Sequence, residues 1–174
     1  MITATVPDSS EAAEYYFTYI KQVPAGDIGD VLGAQAVEAV EALSAISEED
    51  SLRRYAQDKW SIREVVSHIN DCERLFVFRA FWFARAFDTP LPSFEQDIAV
   101  RAARADDRPL ASHVEEFRAV RDATLSFFRG LPAEAWVRRG FASGNPFTVR
   151  ALAYITAGHV THHLRILRER YLAR

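Results

Sequence analysis

Four stretches of this chain repeat their apolar residues at helical spacing, and no period-two alternation competes with them. In the first, about residues 30–46, Val31, Leu32, Val37, Val40 and Leu43 or Ala45 share a stripe, and Asp27 or Asp30 is placed to cap it. The second opens at Ser61-Ile62-Arg63-Glu64. This is a capping box, in which Ser61 accepts from the Glu64 amide while Glu64 reaches back to the Ser61 amide. It is expected to run to about Phe87, where Asp88-Thr89-Pro90-Leu91-Pro92 stops it. The third runs from Pro109 or Ser112 to Gly130-Leu131-Pro132, with Pro in the first turn and Gly at the far end. The fourth runs from Thr148 to about Leu172. A shorter helical stretch, Glu11 to Lys21, ends at Val23-Pro24-Ala25-Gly26. Four amphipathic helices in 174 residues predict an all-α four-helix bundle, a single domain with an N-terminal extension of about residues 1–26.

Composition supports this. Seven Gly and seven Pro in 174 residues fall below the usual share of about 12%, which argues against a turn-rich sandwich or barrel. The richest cluster of them, Gly140 to Pro146, is expected to be a loop. The connection from Ser93 to Asp107 exceeds what bundles normally use, and loops of that length are often functional; it is expected over the bundle mouth. Cys72 is the one cysteine, so no internal disulfide forms and a reducing compartment is expected. A net charge of −3 gives no reason to expect nucleic acid or an anionic membrane as partner. Residues 1–10 carry no basic and apolar leader, and Leu75 to Phe87, broken by Arg79 and Arg85, falls short of the roughly 20 residues that span a bilayer. A cytoplasmic protein is expected.

The chemistry concentrates in histidine. Of five, His159, His162 and His163 sit within one turn and a half of the fourth helix. At about 100° per residue, His159 and His163 project about 40° apart, among Leu152, Ile155, Ile166 and Leu167, and so face the core. His162 lies about 60° off His159, at the edge of the stripe near Glu169. Two imidazoles one turn apart on a rigid helix are either hydrogen-bonded core residues or ligands of one ion, and a catalytic zinc needs a third ligand. His68, two turns into the second helix on the side of Val65, Cys72 and Leu75, is the candidate. His113, in the first turn of the third helix, is expected to be exposed. His159-Val160-Thr161-His162-His163 lacks the Glu that a zinc peptidase places after its first His, since Val160 stands there.

At these residues the chain resembles the DinB-like proteins, also described as DinB/YfiT-like metalloenzymes. The likeness runs from about Tyr15 to Leu172. It is carried by Tyr55 and Lys59-Trp60-Ser61-Ile62-Arg63-Glu64-Val65-Val66-Ser67-His68 with Asp71, Glu73 and Arg74. Phe83-Ala84-Arg85 with Leu91-Pro92-Ser93-Phe94-Glu95, and Ala157-Gly158-His159-Val160-Thr161-His162-His163-Leu164 with Glu169-Arg170-Tyr171-Leu172, complete it. The resemblance implies a four-helix bundle whose three histidines, mapping onto His68, His159 and His163, hold a divalent metal. Three imidazoles suit zinc, nickel, copper or iron, zinc or nickel foremost. It implies a homodimer. It also implies a reaction such as those of relatives that use a low-molecular-weight thiol as co-substrate, as S-transferases or a thiol-dependent isomerase. Relatives with this ending often carry Glu where Val160 stands.

The leading expectation is therefore a metal-dependent thiol S-transferase acting on small electrophiles. A metal-dependent hydrolase and a non-catalytic metal-binding stress protein are the alternatives. Candidate catalytic residues are Asp71, Glu73 and His162. Asp71 either orients His68 or pairs with Arg74 or Arg63 at the surface; Glu73 either meets a buried partner or acts as a base. His162 suits proton transfer at the mouth, and by spacing it could replace His163 as a ligand. Cys72 is a fourth ligand or a small core residue. Arg79, Arg85 and Arg101 are candidates to hold an anionic thiol. Trp60 is expected to pack at the helix entry. Phe76, Phe78, Phe81, Trp82 and Phe83 exceed what one face buries, which points to a partner surface.

Overall fold

A computed structural model describes residues 5–173. Residues 1–4 and 174, including part of the segment expected to lack a leader, lie outside the described residues. The order is α1 (Phe17–Ile20), α2 (Ile28–Ser44), α3 (Ile62–Ala84), α4 (Gln96–Ala103), α5 (Leu110–Arg129), β1 (Arg139–Ala142), β2 (Asn145–Thr148) and α6 (Val149–Ile166).

The helix starts follow local chemistry. Asp27 caps α2 by accepting from the Gly29 and Asp30 amides at 2.9 and 3.3 Å. Both arms of the Ser61–Glu64 box form, at 3.1 and 2.8 Å. Thr148 caps α6 through the Ala151 amide at 3.0 Å. α5 follows Pro109, and its first amides are satisfied from a distance: Glu48 accepts from Leu110 and Ala111 at 2.8 and 3.1 Å. Those donors hold the Glu48 carboxyl below its ordinary pKa. α3 ends at Ala84, short of Phe87, because Ala86 turns left-handed with φ 61°. α6 passes into a wider turn, Leu167–Tyr171.

α3 packs on both α5 and α6, α2 closes the bundle against the same two helices, and α1 lies along α6. The apolar core divides in two. One part gathers Phe76, Phe83, Phe128, Phe147, Leu152 and Ile155. The other gathers Leu43, Ile62, Ile69, Phe117, Val160 and Leu164. The histidines of α3 and α6 occupy the level between them, since their neighbours in sequence divide between the two parts.

The all-α expectation needs one correction. The stretch read as a loop, Gly140 to Pro146, is most of an antiparallel hairpin, paired Arg139 with Thr148 through Ala142 with Asn145. Its two-residue turn, Ser143-Gly144, has both φ angles positive, 54° and 73°, which matches the twist of paired strands. Phe147 anchors it in the core, and Gly140 lies so close to the Phe83 ring that any Cβ would collide. The fold is a four-helix bundle with a small hairpin. No described helix is long and apolar enough to cross a membrane.

Gly158 sets how closely α1 approaches α6. A Cβ there would strike the Tyr19 carbonyl, which is backbone and cannot rotate away. Gly158→Ala is expected to lose about 1–3 kcal/mol of stability in a denaturant titration, as overpacked sites do. Parental stability would show that α1 does not sit against α6 in this way.

Candidate metal centre

α6 and α3 aim three buried imidazoles at one another. His68 Nε2 lies 3.2 Å from His159 Nε2, and His163 Nε2 lies 3.1 Å from the same atom. A ring nitrogen offers either one lone pair or one N–H, so His159 Nε2 can satisfy only one of its two neighbours. Among the described residues, no carboxylate hydrogen-bonds to any of the three rings.

Burial keeps the cluster uncharged. It lowers the His68 pKa to about 4, with the Asp97 charge opposing, and the His163 pKa to about 3, helped by His68 and His162. His159 falls well below the ordinary value, through burial first and then its three histidine neighbours. Neutral imidazole is the form that binds metal. Tetrahedral zinc with nitrogens at 2.0–2.1 Å separates its ligands by about 3.3 Å, close to the His68–His159 and His159–His163 spacings. The donor set therefore fits a divalent cation.

Cys72 is the fourth possible donor. Its Sγ, His68 and His159 bring ligand atoms within 4.8 Å of one another. Yet Sγ stands 3.6 Å from both ring nitrogens of His68, alongside the ring rather than beyond Nε2. Burial pushes its pKa up to about 12.

Aromatic rings enclose the cluster. Trp60 packs on His68 with centroids 4.8 Å apart, and Phe76 and Tyr19 meet His159 at 5.6 and 5.4 Å. A cavity of about 270 Å³ reaches His68 and His159 between Tyr16, Tyr19, Cys72 and Arg79. A second, of about 350 Å³, reaches His163 beside Trp60 and Tyr171. Gln96 and Asp97, at the start of α4, border both, so the long connection does lie over the cluster.

The other candidates part company here. Glu73 is fully buried and accepts twice from Arg121, both at 2.7 Å. Asp71 lies 3.6 Å from Arg74, and burial raises its pKa. His162 stays on the flank, edge-on to Tyr19 and His163 at 5.3 and 5.2 Å. Arg85 packs over Phe81, and Arg101 borders a separate groove with Arg54 and Lys59. Only Arg79 of the three arginines reaches the cavity beside the histidines. His113 corrects the expectation of exposure: it is buried, and its Nε2 pairs with the Ala105 carbonyl at 2.9 Å, because the 93–107 connection folds back onto α5. Tyr16, Tyr19 and Asp97 line the cavity without standing out as site residues in the sequence. The spacing of Tyr15, Tyr16 and Tyr19 was the available signal, whereas nothing local to Asp97 reveals that α4 crosses the cluster.

A bundle with inward-facing imidazoles on two neighbouring helices is a helical metal-centre scaffold. The model of the DinB superfamily matches residues 32–167, and the chain belongs to that superfamily. Among solved structures it is similar to YfiT from Bacillus subtilis, described as a probable metal-dependent hydrolase with an unusual four-helix bundle topology. The TM-score is 0.69 at 16% identity, covering 94% of this chain and 89% of that one. No curated protein matches significantly.

The buried rings make acid stability a test. An imidazole in the unfolded chain titrates near 6.5, above its folded value for His68 and His163. Below about pH 6.5 the unfolded chain takes up protons that the folded chain refuses. Metal-free protein should therefore lose about 1.4 kcal/mol per pH unit for each such imidazole, until the folded values are reached. Urea midpoints measured in chelator from pH 7.5 to 4.5 should fall on this slope, and a flat profile would contradict burial of neutral rings.

Proposed function

We propose that this protein is a metal-dependent enzyme acting on a small molecule, with His68, His159 and His163 holding a divalent cation, zinc or nickel. The observation that carries the proposal is the meeting of three buried, neutral Nε2 atoms at 3.1 and 3.2 Å. His163 is preferred to Cys72 as third ligand, because the thiol lies beside the His68 ring rather than beyond its Nε2. His163 is preferred to His162 because only its Nε2 meets the other rings. A cation in such a cluster supplies Lewis acidity that lowers the pKa of a coordinated water or thiol.

The chain's own residues shape the rest. Trp60, Phe76 and Tyr19 keep bulk water from the imidazoles. The cavity limits the substrate to a molecule smaller than the usual drug-sized ligand. Glu95 and Asp97 are the carboxylates on its wall, and they take the role of proton acceptor for which Asp71 and Glu73 are not placed.

Hydrolysis is the first reading, in keeping with the description of YfiT. Transfer of a low-molecular-weight thiol to an electrophile is the second. It asks less of the Glu95 and Asp97 carboxylates, which border the cavity without hydrogen-bonding to the rings, since a thiol gives up its proton more readily than water. In the same proposal the chain is a cytoplasmic homodimer joined at the far end of α3, where Phe78, Phe81 and Phe87 are 47%, 38% and 46% exposed.

Elemental analysis of untagged protein should find stoichiometric metal. His163→Ala should lose it while remaining helical by circular dichroism, and His162→Ala should keep it. Ester or amide turnover without thiol marks the hydrolase; consumption of thiol and electrophile together marks the transferase. Bound metal with neither activity would leave a metal-binding protein without chemistry. Light scattering should give about twice the 19.7 kDa chain mass.

A further inference from the structure

Two arginines are among the largest fully buried side chains, and they are treated differently. Arg121 has a bidentate carboxylate in Glu73, with Gln35 and the Leu32 carbonyl completing its shell. Arg79 has no carboxylate within ion-pair distance among the described residues. Its Nη2 donates to the Pro92 carbonyl at 3.2 Å and to the Ser143 hydroxyl at 2.9 Å, both neutral acceptors. Its Nε is sealed from solvent with no partner. Burial accordingly lowers its pKa, where an ion pair would raise it. A buried charge without a counterion is costly, and buried charges are normally paired.

Arg79 lines the same cavity as His68 and His159, on a wall where it is the only lysine or arginine. One guanidinium matches one negative charge. Glu95 and Asp97 border the cavity as well, which disfavours a dianion. Resting on the reading of this cavity as the substrate site, we propose that Arg79 is its anion anchor and that the substrate is a small monocarboxylate. Its carboxylate lies against Arg79 and its reacting group points to the imidazoles. The Tyr16 hydroxyl, which interacts with Arg79, is a neighbouring hydrogen-bonding group for the same carboxylate. Ser143 and Pro92 position the guanidinium from the hairpin turn and the segment before α4.

Butyrate and butyramide, nearly equal in shape, isolate the charge. Calorimetric titration of the full chain should show butyrate binding at least ten-fold tighter than butyramide. Arg79→Met should bring the ratio near one, and Arg79→Lys should keep part of it. In the wild type, the Arg79 Nε–H resonance should move with butyrate and not with butyramide, which tests the contact even if Arg79→Met does not fold. His163→Ala separates the two possible holders of a carboxylate. A preference that survives this substitution belongs to Arg79, and one that disappears with the metal belongs to the ion and overturns the proposal. Equal binding of the two probes by the wild type also overturns it. Metal content measured on the same samples reports on the metal centre independently, so either reading can fail alone.

Discussion

The buried pair between Arg121 and Glu73 holds the bundle in register. It joins α5 to α3 through two contacts of 2.7 Å. The same guanidinium donates to Gln35 and to the Leu32 carbonyl of α2, at 2.9 and 3.0 Å. Gln35 in turn donates to the Ala157 carbonyl and the Thr161 hydroxyl of α6, both at 2.8 Å. All four long helices thus meet in one polar network between the two apolar parts of the core. Such a pair need not add stability over apolar residues of equal volume, but losing one partner strands the other at a cost of about 3–5 kcal/mol. Sliding α3 or α5 by a turn would incur that cost.

This network also explains where the histidines point. Ala157 and Thr161 lie two residues either side of His159, so on a helix they share the face about 160° from it. Gln35 grips that face, which presents His159 and His163 to α3. The imidazoles are held by charge pairing elsewhere in the bundle, and among the described residues no carboxylate is hydrogen-bonded to them. Their neutrality follows from burial among aromatic rings.

What could be read from sequence was local. Helix phase placed His159 and His163 on one side, and the Ser61–Glu64 box marked the start of α3, because both depend on residues within one or two turns. The hairpin escaped notice because its strands have four residues each, and Gly140 and Pro146 weaken any strand pattern. Glu73 was undecided for a different reason. Its partner lies 48 positions away on α5, and no spacing rule reaches that far. The burial of His113 is hidden for the same reason, since its acceptor comes from the returning connection before α5. Helix position also offered His68 as the third imidazole, and the family resemblance pointed to the same residue.

Val160 shows why the missing Glu matters less here than the motif suggests. On α6 it is turned about 100° from His159 and is buried in the second part of the core with Ile69 and Leu164. A carboxylate at that point would enter an apolar environment and carry a raised pKa unless something paired with it. The chain instead brings its acidic groups to the cavity from the start of α4, as Glu95 and Asp97. A helical motif fixes its residues relative to one another, whereas a connection can vary in length and sequence without disturbing the bundle. Placing the acids on the connection separates the carboxylates of the cavity wall from the buried imidazoles. The imidazoles can then stay buried and neutral while the carboxylates at the mouth meet solvent.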